Sequence, residues 1–176
     1  MINLIPVNQT NLMLRVKDLY LNEFPEYECV PYWMLIYKTY NKHTDLYAIH
    51  HGNDYIGLLY LTYYEDIVYI FYLAIDPSQQ SKGYGSKVLQ YLKETYKDKR
   101  LLLNIEKIDE VSDNYEQRFK RKLFYEKNGF KNIDFEIKTV KKNIVYEILY
   151  FGDKVYEKEY QALFKNYYGP ILSFFY

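Results

Sequence analysis

A single cysteine, Cys29, stands among 176 residues, so no disulfide can close within the chain and no thiolate set has zinc-ligand spacing. Histidine is almost as scarce: His43, His50 and His51 lie in one stretch with no partner motif elsewhere, and no metal site is expected. Neither sign of charge dominates, with Lys+Arg 23 against Asp+Glu 23, which leaves no global basic field to hold nucleic acid. No apolar run approaches the roughly 20 residues that span a bilayer, and the opening MINLIPVNQT lacks a basic region followed by a long apolar core. The expectation is a soluble, cytoplasmic chain without a membrane or nucleic-acid partner. Glycine and proline number only 7 and 5, without linkers, repeats or low-complexity stretches, and the length fits one domain, 1–176.

Tyrosine is the abundance that answers these shortages, at 24 residues. Stacking platforms for single strands come with a positive groove, whereas these tyrosines are spread through every segment and not grouped with Lys or Arg. They read as amphipathic β-formers and fillers of helix faces.

Periodicity orders the chain. A short strand at 2–5 precedes a helix at 11–24, where Leu12, Val16, Leu19 and Tyr20 share a face and Pro25 stops it; Pro31 opens a second helix to residue 40. Runs of β-formers at 45–50, 54–64 and 67–75, separated by His51-Gly52-Asn53 and Glu65-Asp66, predict an antiparallel meander. A helix at 83–96 crosses to a strand at 101–106, and Asp113 with Glu116 suggests a capping box for a helix at 114–127 that Gly129 ends. Strands at 130–139 and 144–150 and a helix at 156–168 before Gly169-Pro170 complete the order. It is an α/β (α+β) pattern with a mixed, mostly antiparallel central sheet flanked by helices.

The most informative stretch is 75–89, IDPSQQSKGYGSKVL: a strand, a turn holding Gly83 and Gly85, then Val88, Leu89 and Leu92 at helical spacing. Glycines in such a turn let the backbone take positive φ and approach a ligand, so that N–H groups and the positive helix end converge on an anion. A phosphate is the expected ligand. A Walker loop would require Gly-Lys-Ser/Thr, which is absent. A dinucleotide fingerprint would need its third glycine where Val88 stands, although Glu106 supplies an acid at about the right remove, so a nicotinamide-binding module stays open as a runner-up.

Gln80-Ser81-Lys82-Gly83-Tyr84-Gly85 resembles the Q/R-x-x-G-x-G/A pyrophosphate loop of the GCN5-related N-acetyltransferases, the GNAT family. Tyr125-Glu126-Lys127-Asn128-Gly129-Phe130 is similar to the Y-x-x-x-G-F that ends the fourth helix of that family, and Asn114 to Tyr125 resembles an N-x-x-Q-R-x-x-R-x-x-F-Y variant of uncharacterised bacterial members. The likeness spans roughly 45–150. It implies the acyl-CoA N-acyltransferase (GNAT) fold, acetyl-CoA as cofactor, and acetyl transfer to an amine acceptor, a small molecule or a peptide. It also places Ser86 and Asn114 with the cofactor, beside Gln80 through Gly85, with Arg118 a further cofactor candidate through its own charge, and has the backbone of Leu73, Ala74 and Ile75 pair with the pantetheine arm as a pseudo-strand. One departure is Arg118, where the family often has asparagine; that residue's contacts are not carried over.

The chemistry sets the remaining candidates. An amine must lose its proton before attack, its pKa lying near ~10, so a carboxylate has work to do; Glu106 at a strand end is the candidate base, or else the ion-pair partner of Arg118 or Arg121. A departing thiolate needs a proton, and Tyr125 occupies the family position for that donor. Arg118 and Arg121, on one helix face, point to cofactor phosphate, to an acid on the substrate, to Glu106 or to solvent. Lys82 adds charge to the phosphate site or is simply solvated. Glu26, Glu28 and Trp33 lie where the family forms its acceptor pocket, as holders of a cationic amine or as exposed loop residues. Cys29 reads as a small hydrophobe and not as an acyl carrier, which favours direct transfer. A noncatalytic CoA-binding or interaction module on the same fold is the alternative of a different class.

Overall fold

The structure, a computed structural model, describes residues 1–9, 11–138 and 144–169. The expected strand end Thr139 and the helix-terminating Pro170 lie outside them. The chain divides into two compact units, Met1–Tyr63 with Ile70–Thr95, and Tyr64–Tyr69 with Tyr96–Tyr176. Strand order is β1-β2-β3-β4-β5-β7-β6, a mixed sheet, and β4 (Ile67–Ile75) contributes residues to both units.

The first unit holds β1 (Ile2–Pro6), β2 (Thr44–His51), β3 (Asp54–Tyr64), α1 (Met13–Glu23), α2 (Tyr32–Lys38) and α3 (Tyr84–Thr95). β1 pairs antiparallel with β2, and β2 with β3. From Tyr55 to Thr62 every β3 residue is buried, as expected of a strand covered on both faces, whose sequence is a continuous apolar run. Val16, Leu19 and Tyr20 of α1 and Val88, Leu89 and Leu92 of α3 supply the helical share of this core. Pro31 sits just outside α2, at its N-cap.

One backbone contact governs this unit. The β2–β3 register slips between Ile49 and His50, which pair with Gly57 and Tyr55, so Ile56 is the extra residue of a bulge. The bulged Ile56 carbonyl accepts from Asp76 N at 2.9 Å, beyond the end of β4. At the neighbouring position a Cβ on Gly57 would stand 2.2 Å from the Ala74 carbonyl oxygen. Only glycine fits there.

The second unit holds β5 (Arg100–Glu106), α4 (Tyr115–Lys127), β6 (Lys131–Lys138), β7 (Val145–Phe151) and α5 (Glu157–Tyr168). Ile67 to Tyr69 of β4 pair parallel with Arg100 to Leu102, and β7 pairs antiparallel with β5 and with β6. Arg100 grips two carboxylates: Nη2 and Nε donate to Asp66 at 2.6 and 2.7 Å, and Nη2 and Nη1 to Glu159 at 2.7 and 3.1 Å. Both acids are held below the ordinary carboxylate range, chiefly by those hydrogen bonds.

The expected Asp113/Glu116 capping box does not form. Asn114 is the N-cap residue of α4 and makes no capping bond, because its Oδ1 accepts from Arg118 Nε one turn on, while Glu116 pairs with Lys120 at 3.3 Å. No residue of α4 is fully buried, and Phe119 is 43% exposed.

Gly57→Ala is expected to cost about 2–3 kcal/mol, because the opposing atom is backbone and cannot rotate away, lowering Tm by roughly 5–10 °C in thermal melts. A Tm within about 1 °C of wild type would place the Ala74 carbonyl elsewhere.

Candidate functional site

The loop of the first unit is built from the end of β4 onward. Asp76 Oδ1 accepts from Ser78 N at 3.0 Å and from Ser78 Oγ at 2.6 Å, closing a one-turn 3-10 segment, Pro77–Gln79, that reverses the chain. Those bonds, with Arg15 from α1 at 3.2 Å, hold the Asp76 carboxyl below its usual range. Gln80 Nε2 donates back to Ile75 O at 3.0 Å and to Glu23 Oε2 at 3.3 Å. Ser81 (φ +62°) and Gly83 (φ +74°) then take left-handed backbone on either side of Lys82.

That pair corrects the sequence expectation in one respect. Gly85 has no positive φ and lies in the first turn of α3; the second left-handed residue is Ser81. A non-glycine residue in this region costs roughly 1–2 kcal/mol, a strain that tends to collect at functional loops. Lys87 N donates to Gly83 O at 3.2 Å, and a helix start of this kind leaves N–H groups of its first turn outside the ladder. Lys82 Nζ folds onto the loop, donating to Ser78 O at 2.9 Å and Gln79 Oε1 at 3.0 Å. Tyr84 packs 5.0 Å from the His51 ring, a neighbour that sequence reasoning missed because it lies 33 residues away. In β4 the Ala74 carbonyl faces Gly57 and the Ile75 carbonyl is capped by Gln80; Leu73 is half-buried.

In the second unit, Glu106 ends β5 with a side chain 1% exposed. Asn114 Nδ2 donates to its Oε2 at 3.3 Å and Arg118 Nη2 to its Oε1 at 3.2 Å, while Arg121 Nη1 stands 3.6 Å from Oε2. Arg118 is fixed further by Nε to Asn114 Oδ1 at 2.7 Å and Nη1 to Lys107 O at 2.9 Å. The ion pair weighed for Glu106 is therefore present, with both arginines in it. Tyr125, in the last turn of α4, is half-buried edge-on to Phe124 and Phe130, and its hydroxyl has no hydrogen-bond partner among the described residues. Burial pushes its phenol up to about 12, with Arg121 pulling the other way.

A family model for the acetyltransferase (GNAT) domain matches residues 42–132, just over half of the chain. The chain belongs to the GNAT acetyltransferase family. Solved structures agree at the level of fold. A GNAT-family protein from Bacteroides thetaiotaomicron superposes with a TM-score of 0.78 at 18% identity, covering 98% of each chain. The aminoglycoside 6'-N-acetyltransferase from Enterococcus faecium gives 0.64 at 16%, over 88% of this chain and 99% of that one. A Bacillus subtilis acetyltransferase in complex with CoA gives 0.57 at 19%, over 87% and 98%. No curated protein matches the sequence.

As a GNAT member the chain is an N-acetyltransferase, and acetyl-CoA is the usual donor of the family. The remaining candidates sit in the first unit. Glu26 is exposed, Glu28 half-buried and Trp33 66% exposed. Their segment is pinned by two phenols that no sequence motif announced: Tyr72 donates to Glu28 O at 2.6 Å and Tyr20 to Val30 O at 3.0 Å. Cys29 is half-buried, its thiol pushed up by burial. Among the described residues no His, Cys, Asp or Glu group could hold a metal ion, and no helix is long and apolar enough to cross a membrane.

Arg118→Gln should destabilise by about 2–4 kcal/mol, since it strips a buried carboxylate of its main partner, whereas Arg121→Gln should cost under about 1 kcal/mol. Paired thermal melts read the difference, and equal losses would contradict this division.

Proposed function

We propose that this chain, as one acetyltransferase domain working in the cytoplasm, transfers the acetyl group of acetyl-CoA directly to a primary amine. The observation that carries the reading is the loop after β4, where left-handed Ser81 and Gly83 bend the backbone into the start of α3 in the motif Gln80 to Gly85. Amides of Ser81 through Ser86 would hold the pyrophosphate, and the Lys82 ammonium, tethered to the loop, would add charge beside it. Leu73, Ala74 and Ile75 would offer the pantetheine arm its backbone partners. When bound, acetyl-CoA supplies an activated thioester: the amine nitrogen would bond to the acetyl carbon as the C–S bond breaks, the thiolate would take a proton from Tyr125, and the nitrogen would give up its own proton to solvent, which restores the phenol.

Tyr125 is assigned as the source of that proton. Its phenol, raised to about 12, keeps its proton throughout the range in which amines become nucleophilic, and among the described residues no acceptor competes for it. Donation would then run together with C–S cleavage. Glu106 is assigned as the anchor of the guanidiniums and of Asn114, a reading that its buried network supports better than proton uptake. Direct transfer is preferred because burial disfavours the Cys29 thiolate that an acyl carrier would need. Glu26, Glu28 and Trp33 are assigned to the acceptor.

Coenzyme A should raise Tm by linkage, Gly85→Val should abolish that rise, and Tyr125→Phe should keep it while lowering kcat for thiol release about 100-fold. A noncatalytic CoA-binding module would show the Tm rise with no release from any amine. NAD giving the larger rise would revive the dinucleotide reading.

For Glu106→Gln, an anchor predicts lower Tm with a pH profile of kcat/KM, per folded molecule, parallel to wild type. A defect that fades as pH rises and free amine accumulates would make Glu106 the base.

A further inference from the structure

Arg118 and Arg121, one turn apart on α4, face the same carboxylate and are engaged very differently. Arg118 makes three hydrogen bonds, to Asn114, Lys107 and Glu106, and its side chain is 14% exposed. Arg121 makes none among the described residues; it stands 3.6 Å from Glu106, and a third of its side chain, 33%, remains accessible. Four residues on, the Tyr125 hydroxyl is also without a hydrogen-bond partner among the described residues, and the two groups are close enough to act on each other electrostatically.

Charge leads to the same place. Lys122 with Glu147 and Lys107 with Glu136 cancel as pairs at 2.5 and 2.8 Å. Among the described residues Glu106 faces two guanidiniums with one carboxylate between them, and of the two it is Arg121 whose donors make no hydrogen bond there. A guanidinium stays charged at every accessible pH, and its planar fork matches a carboxylate through two parallel bonds. Glu106 is too far for a good hydrogen bond to Arg121 yet close enough to restrain it, so part of the ordering cost of binding is met in the free protein.

We propose that Arg121 anchors a carboxylate carried by the amine acceptor, which makes the substrate class a free amino acid and not a polyamine or an aminoglycoside. A polycation would meet like charge on that guanidinium, and a neutral amide would leave the fork with a weaker partner. The inference rests on the acetyltransferase reading above and adds the chemistry of the acceptor to it.

The experiment measures thiol release from acetyl-CoA by the full chain with amino acids, each against its own amide (glycine and glycinamide, L-alanine and L-alaninamide, L-lysine and L-lysinamide), and with spermidine and kanamycin. Wild type should favour acid over amide by tenfold or more in kcat/KM for the accepted amino acid, a ratio that needs no variant to test it. Arg121→Gln should bring the ratio close to one, and Arg121→Lys, a charge without the fork, should recover part of it. A wild-type preference for amides, spermidine or kanamycin overturns the proposal while leaving acetyl transfer intact. So does an Arg121→Gln variant whose KM for acetyl-CoA rises equally with every acceptor, which would give the fork to cofactor phosphate. Absence of release from every amine, with or without a CoA-induced Tm rise, removes acetyl transfer and this inference together.

Discussion

The Ala74 carbonyl oxygen occupies the place where any side chain at position 57 would begin. Much of the first unit follows from that contact. It presses the bulged part of β3 against β4, and the bulge turns the Ile56 carbonyl to Asp76 N, so the chain is held up to the residue where the loop starts. Asp76 is thereby fixed to order Ser78, and the Ile75 carbonyl to receive Gln80. A loop that binds through backbone atoms cannot adjust by rotating side chains, so its precision has to come from the strand behind it.

The second unit rests on a different economy, that of a buried charge. Burying Glu106 is tolerable because donors reach both its oxygens, and the donors come from one helix that the carboxylate in turn fixes. The same network explains why Asn114 makes no cap: its Oδ1, the atom that would accept from first-turn amides, accepts from Arg118 Nε instead. A helix end that gives up a cap worth about 1 kcal/mol gains a charge-assisted bond that fixes the guanidinium on the buried anion.

Strand and helix positions were legible because their periods are clean: β3 and β4 run over 54–64 and 67–75, as the alternation of β-formers and turn residues indicates. The glycine loop was legible as a motif, but its conformation was only half so, since nothing in the local sequence marks Ser81 as left-handed. Gly57 carried a signal, an isolated glycine within an apolar strand, which denotes a bulge or a close backbone approach. The spacing of Arg118 and Arg121 shows that they share a face and nothing about which is saturated. That depends on the Lys107 carbonyl and the Asn114 amide, both placed by tertiary structure. The anchoring phenols of Tyr20 and Tyr72 were hidden by abundance, two among 24.

The strand order β4-β5-β7-β6 has a consequence for the order in which the molecule is made. Residues 100–102 of β5 find their parallel partner in β4 as soon as they are synthesised, but the opposite edge belongs to β7, which begins at Val145. Until some 40 further residues have left the ribosome, at rates of about 5–20 per second, a leucine-rich strand presents an open edge. Arg100 stands at the first residue of that strand, and Asp66 is already available to it, whereas Glu159 arrives last. A charge at the head of an unpaired strand discourages strand addition by another chain, so the residue that later joins α5 to the sheet also protects the nascent edge.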